Sequence, residues 1–153
     1  MPEIRVTASG MVQAPADLVY RCLADYREHH PNILPSVFSN LEVVAGGYGA
    51  GTVFRFQMSI AGRIRHAQMT VTEPEPGRVL EEKDVASGLV TRFVVTPLVD
   101  DGATRVTIDT RWQSSSGVGG LAERLFAPLL LKRPYRDELI RLDAYARGLS
   151  QGS

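Results

Sequence analysis

From Ser36 to about Trp112 the chain reads as short runs of alternating apolar and polar residues, and from Gly120 onward the apolar residues recur at threes and fours instead. Side chains alternate faces along a strand and recur every 3.6 residues along a helix, so this single change of period separates a sheet from a terminal helix. Turn signals at "GGYGAG", "AG", "PEPG", "ASG" and "DDG" divide the middle region into six strands in meander order. Upstream, "EIRVTASGMVQ" places Ile4, Val6, Ala8 and Val12 on one parity, as a half-buried first strand would. Between these, "APADLVYRCLADYREHHPNILP" has Pro15 near a helix start and Asp17 in the first turn, where a carboxylate suits the helix dipole. One or two short helices are predicted there, closed by Pro31 and Pro35. In the last segment, Leu121, Leu125, Leu129, Tyr135, Leu139, Leu142 and Ala146 form the stripe of a long amphipathic helix. Pro128 and Pro134 each remove a donor and crowd the preceding turn, which predicts a kink or break. The resulting order is β, α–α, six β, α: an α+β fold with a seven-stranded antiparallel sheet and its helices gathered on one face.

A length of 153 residues implies one domain, here 1–149 with a frayed tail at 150–153. Seventeen Lys plus Arg balance seventeen Asp plus Glu, so no global field draws in nucleic acid, and none is expected as a partner. No apolar run approaches the roughly 20 residues of a membrane span, and "MPEIRVTASG" lacks the apolar centre of a secretion signal. A cytoplasmic protein that is not membrane-embedded, monomer or homodimer, is the expectation. The lone Cys22 excludes an internal disulfide and reads as a small buried helix residue.

The loop "VVAGGYGAGTVFRF" resembles a phosphate cradle only superficially. A dinucleotide fingerprint needs G-x-G-x-x-G opening a helix; counted from Gly47 the third glycine falls on Thr52, and strand-like "TVFRFQM" follows. A hairpin turn is predicted instead.

Taken together, "VQAPADLVYRCLAD", "NLEVVAGGYGAGTVFRF", "EPEPGRVLEE", "DDGATRVTI" and "LLLKRPYRDELIRLDAYAR" resemble the START-like (SRPBCC) superfamily, and within it the polyketide cyclase/dehydrase family. The resemblance spans nearly the whole chain. It implies a helix-grip fold, a curved sheet wrapped around the C-terminal helix with a cavity between them. It also implies a lipid, sterol, hormone or polyketide as ligand, with cyclisation or dehydration in some members. By the same resemblance the glycine loop lies near the cavity rim, where its mobility would gate the ligand.

Hairpin registers then predict which side chains share the concave face. A two-residue turn at "AG" pairs Ile60 with Arg63, Met58 with Arg65, Phe56 with Ala67 and Phe54 with Met69. A three-residue "ASG" turn pairs Lys83 with Thr91, Glu81 with Phe93 and Val79 with Val95; "DDG" sets Val95 opposite Ile108, Phe93 opposite Thr110 and Thr91 opposite Trp112. The predicted ligand-binding set is therefore an apolar wall of Phe54, Phe56, Met58, Met69, Phe93 and Trp112 with polar points at Arg65, Glu81, Lys83, Thr91 and Thr110. Leu125 and Leu129 join it if the cavity reaches the helix. Arg65 is the expected anion-recognising group. The opposite parity, turning Leu80, Glu82, Arg92 and Val94 inward, stays open.

Other chemistry is sparse. His29 and His30 diverge by about 100° on a helix, and Asp25 with His29 offers two metal ligands without a third, so neither metal nor cofactor is expected. No nucleophile elbow or Ser-His-Asp arrangement appears, and the catalytic residues are unknown. Three functions compete: a carrier of a hydrophobic or amphipathic molecule, an aromatase/cyclase or dehydratase working by general acid–base catalysis, and an interaction protein with an apolar rim. The carrier is favoured, since strand parity places no His or Tyr inside.

Overall fold

The computed structural model describes residues 3–60, 62–98, 102–114 and 117–151; at 60, 121, 122 and 124–126 it describes the backbone alone. In chain order the elements are β1 (Glu3–Val12), α1 (Ala16–Ala24), a 3-10 turn (His30–Asn32), β2 (Phe38–Ala45), β3 (Val53–Ile60), β4 (Arg63–Glu75), β5 (Val79–Asp84), β6 (Val90–Pro97), β7 (Thr104–Gln113) and α2 (Gly117–Gln151). The sheet has seven strands in the order β1-β7-β6-β5-β4-β3-β2, antiparallel at every step. Five neighbouring pairs are sequential hairpins; only β1 joins out of sequence, closing on β7.

On β1 the predicted parity holds, with Ile4, Val6, Ala8 and Val12 all buried. α2 packs most closely on this strand, where Gly10 faces Leu139: a Cβ there would lie 3.4 Å from the leucine side chain, in van der Waals contact. Leu139 and Leu142 are buried as expected, whereas Leu129 faces solvent and the side chains of Leu121 and Leu125 lie outside the described residues. The expected break at the prolines does not occur: α2 runs unbroken through Pro128 and Pro134 to Gln151. Each proline still costs its own N–H and crowds the preceding turn, but the helix is long and continues on both sides of it. The helix also takes in Ser150 and Gln151, leaving 152 and 153 outside the described residues.

The three registers fare differently. β3 and β4 pair as predicted, from Ile60 with Arg63 to Phe54 with Met69. β6 and β7 pair Thr91 with Thr110 and Phe93 with Ile108, two residues away from the prediction. The last hydrogen bond of this hairpin runs from the Leu98 amide to the Ala103 carbonyl, and the Asp100 and Asp101 of the predicted "DDG" turn lie outside the described residues. A shift of two keeps every side chain on its face. β5 and β6 are displaced by one, pairing Leu80 with Phe93, Glu81 with Arg92 and Glu82 with Thr91. The cause is Asp84. Its amide donates to the Leu89 carbonyl, and its carboxylate takes the Ser87 hydroxyl at 2.5 Å, which makes Val85–Gly88 a four-residue turn. Since the side-chain period is two, a one-residue change turns β5 over.

Candidate functional site

The displaced register builds a polar row across the concave face. Val6 pairs with Thr110, Thr110 with Thr91, Thr91 with Glu82, and Glu82 with Val71. All five are buried. Glu81 and Lys83, predicted to point inward, lie on the outer face instead; Glu81 there accepts the Arg92 guanidinium at 3.0 Å, and Lys83 is exposed. Their neighbour Glu82 holds the inward position.

Helical residues close over this row. Tyr26, just past the end of α1, is fully buried, and its hydroxyl donates to Glu82 Oε2 at 2.6 Å. Tyr26 stacks on His30 and on Phe54, each with ring centroids 4.6 Å apart, while His30 meets Phe93 edge-on. His30 Nδ1 lies 2.6 Å from the Leu23 carbonyl, which can only accept, so Nδ1 carries the proton and Nε2 is left as an acceptor. From α2, the Tyr135 hydroxyl bonds Thr110 Oγ1 at 2.7 Å, and Thr110 bonds Thr91 at 2.8 Å. One turn further, Glu138 is 4% exposed and has no hydrogen-bond or ion-pair partner among the described residues. Its position is dictated by spacing, since Leu131, Tyr135, Glu138 and Leu142 follow one another at fours and threes on the buried stripe.

Two carboxyl groups thus share a low-dielectric interior, and burial disfavours their ionised forms. Glu82 is pushed up to about 7 by burial, against the opposing hydrogen bond from Tyr26. Glu138 is held well above the usual carboxylate range, first by burial and then by the charge of Glu82. His30 moves the other way, lowered to about 4 by burial, so it is neutral at physiological pH. Glu82 is thereby poised near neutrality, with one oxygen fixed by Tyr26.

Of the residues expected to bind ligand, Phe54, Met69, Thr91, Phe93 and Thr110 are buried around this cluster. Phe56, Met58 and Trp112 are only half-buried, and the Trp112 indole N–H donates to Glu123 at 3.3 Å. They mark the end of the concave face that is least covered. Arg65 shares the face of Met58 but is exposed at the hairpin end. The opposite parity left open for β5 holds for Leu80 and Glu82, which are buried, but not for Arg92 and Val94 on β6; the strand argument missed Tyr26, His30, Tyr135 and Glu138. A carboxylate interrupting the apolar stripe of the last helix was the available signal for Glu138. Two surface grooves of about 570 and 420 Å³ are lined chiefly by outward residues such as Arg55, Gln57 and Gln68 in one and Arg92, Asp109 and Arg111 in the other, with Phe56 bordering the first and Trp112 the second.

The glycine loop is latched to its neighbours by hydrogen bonds. Its backbone is tied to the end of α1, the Tyr26 amide donating to the Gly47 carbonyl and the Gly49 amide to the Ala24 carbonyl, both at 2.9 Å. Gly47, Ala50 and Gly51 amides donate to the Thr52 hydroxyl, the Glu73 carboxylate and the Val71 carbonyl. Glu73 also accepts from the Tyr20 hydroxyl at 2.6 Å. A protein carboxylate therefore stands where a phosphate would have to sit. At the same end of the molecule Asp25, Glu28 and His29 bring ligand atoms within 4.8 Å of one another, so Glu28 supplies the third group that the sequence pairing of Asp25 with His29 lacked.

Comparison with known proteins agrees with this architecture. The sequence profile of the family described as polyketide cyclase/dehydrase and lipid transport matches residues 3–147. The solution structure of the KanY protein is similar at 31% identity and a TM-score of 0.83, covering 96% of this chain and 99% of that one. An aromatase/cyclase, Zhui from Streptomyces, shares the fold at 18% identity and a TM-score of 0.78, over 95% of this chain and 94% of its own. A Thermus thermophilus protein does so at 22% identity and a TM-score of 0.78, over 97% and 99%. No curated protein matches the chain. No helix among the described residues is long and apolar enough to cross a membrane. With the curved seven-stranded sheet, the long terminal helix and the profile match in agreement, this chain belongs to the polyketide cyclase/dehydrase and lipid transport family of START-like proteins.

Proposed function

We propose that the protein holds a small amphipathic molecule between the sheet and α2 and transfers protons on it, in a cyclisation or dehydration, rather than carrying it unchanged. The observation that supports this reading is Glu82, buried on the concave face and fixed by the Tyr26 hydroxyl at 2.6 Å. A carboxyl group whose pKa lies near the working pH serves as base in one half-reaction and acid in the next. With a ketone in place, ionised Glu82 takes the proton from the carbon next to the carbonyl. The resulting acid returns it, either to carbon or to a departing β-hydroxyl that leaves as water. Phe54, Phe56, Met58, Met69, Phe93 and Trp112 form the apolar wall, Thr91 and Thr110 offer hydroxyls, and Arg65 stands at the mouth. Burying two carboxyl groups without a cation costs several kcal/mol, which carriage of an apolar molecule would not require.

The test is deuterium exchange at the α-carbon of β-tetralone in D2O, followed by NMR. The wild type should accelerate exchange, and Glu82→Gln should lower the enzymatic rate about 100-fold or more, the usual contribution of a positioned acid–base group. If the wild type binds the ketone yet leaves its exchange at the buffer rate, the protein is a carrier.

A further inference from the structure

Proton transfer needs one carboxyl group, and Glu82 with Tyr26 meets that need; Glu138 is left over. We infer, building on the proposal that a ligand occupies this interior, that the ligand carries a protonated amine on an apolar or aromatic body and that Glu138 is its counter-ion. The first ground is the isolation of Glu138. Its neighbours on α2 are paired along the helix, Asp137 with Arg141 at 3.0 Å and Asp143 with Arg147 at 3.4 Å. Glu138 has Leu142 four residues on and Pro134 four residues back, and neither can pair with it. The second ground is the absence of any competing cation. Among the described residues no Lys or Arg is buried, and the one buried base, His30, spends its Nδ1 proton on the Leu23 carbonyl. Nearby arginines are committed on the outer face, Arg5 and Arg111 to Asp109 and Arg92 to Glu81.

Charge complementarity selects among ligand classes. A carboxylate ligand would add a third acid to an interior that already opposes two. A neutral ligand accepts at most a hydrogen bond from protonated Glu138. An ammonium group offers three donors and a full charge to the pair. Expected affinity therefore falls in the order amine, alcohol, acid, the reverse of what Arg65 alone would select. Binding also has a proton signature: an ammonium that arrives charged and meets protonated Glu138 drives a proton out to solvent.

The experiment is calorimetric titration of the wild type at pH 7 with three ligands of one shape, β-aminotetralin, β-tetralol and tetralin carboxylic acid, in buffers of different ionisation enthalpy. The amine should bind about tenfold tighter than the alcohol or better, with the acid weakest, and only the amine should release protons. Glu138→Gln should abolish the amine preference and the proton release while leaving the alcohol's affinity within about threefold. If the alcohol binds as tightly as the amine in the wild type, or Glu138→Gln keeps the preference, the amine assignment is wrong while the interior remains a binding site. If none of the three binds, the interior reading falls with it. The comparison within the wild type needs no variant, so it stands however Glu138→Gln folds.

Discussion

Tyr26 connects three parts of the molecule: its amide ties to the glycine loop at Gly47, its ring stacks on His30 and Phe54, and its hydroxyl fixes Glu82. In the proposed reaction it is a positioning residue, since it reaches the ligand through Glu82. The hydrogen bond favours ionised Glu82 and partly offsets the effect of burial. Tyr26→Phe removes that offset, so the carboxyl group should titrate at higher pH than about 7. The expected outcome is a pH–rate profile for ketone exchange whose rising limb moves up by about one pH unit, with kcat falling more than KM at neutral pH. An unmoved limb with a uniformly lower rate would mean that Tyr26 only supports packing. Neither this residue nor His30 could be found by strand parity, because both reach the concave face from the connection between α1 and β2. Only the i, i+4 spacing of two ring-bearing residues in "DYREHH" hinted that they stack on one another.

At the level of elements, the glycine loop and the β5–β6 turn show how a few turn residues determine what a strand presents. The loop's glycines were legible as a turn, since their spacing fails the phosphate fingerprint, but the latch to α1 is a tertiary fact. Gly49 sits at φ +60° with Glu73 against its backbone, so a side chain there adds left-handed strain and displaces the carboxylate. Gly49→Ala should cost about 1–3 kcal/mol, measured as a lower urea midpoint. In the wild type the Gly49 and Gly51 amides should exchange with solvent as slowly as those of β3. Rapid exchange at both, with an unchanged midpoint in the variant, would restore the mobile-rim picture. For β5 the alternation of "VLEEKD" is equally compatible with either face, because Glu81 and Glu82 are adjacent and identical. The side-chain hydrogen bonds of Asp84 decide the matter by lengthening the turn from three residues to four.

For the whole molecule, the interior acids and His30 impose a pH dependence on stability. The fold holds the Glu82 proton more tightly than the unfolded chain does, so that contribution is complete below about 4.5 and is lost as pH rises through about 7. Glu138 has the same sign and loses its contribution at still higher pH. His30 is opposite: neutral in the fold, it contributes above 6.5 and loses that contribution as pH falls through about 4. The two signs oppose each other below 6.5, and only the carboxyl groups act above it. Tm should therefore fall between pH 6.5 and 8.5. Glu82 accounts for about 1 kcal/mol of that loss, because most of its contribution of about 3 kcal/mol has already gone between pH 4.5 and 6.5. Glu138→Gln should flatten the decline and raise Tm at pH 8 by roughly 4–8 °C, as expected for about 2 kcal/mol in a chain of this size. A wild-type Tm that climbs over this range in differential scanning calorimetry would contradict the buried-acid assignment. The amino-acid sequence by itself determined the element order, the antiparallel meander, the buried parity of β1 and the register of β3 with β4, since each follows from local period and local turn chemistry; the family was legible through the resemblance of its quoted segments. Only the tertiary structure decided that Glu82 rather than Glu81 or Lys83 faces inward, that Tyr26, His30 and Tyr135 join it, and that Glu138 is buried with no partner among the described residues. Those facts depend on which surfaces meet across the interior, and a pattern of nearest neighbours along the chain carries no information about contacts between residues as far apart as 82 and 138.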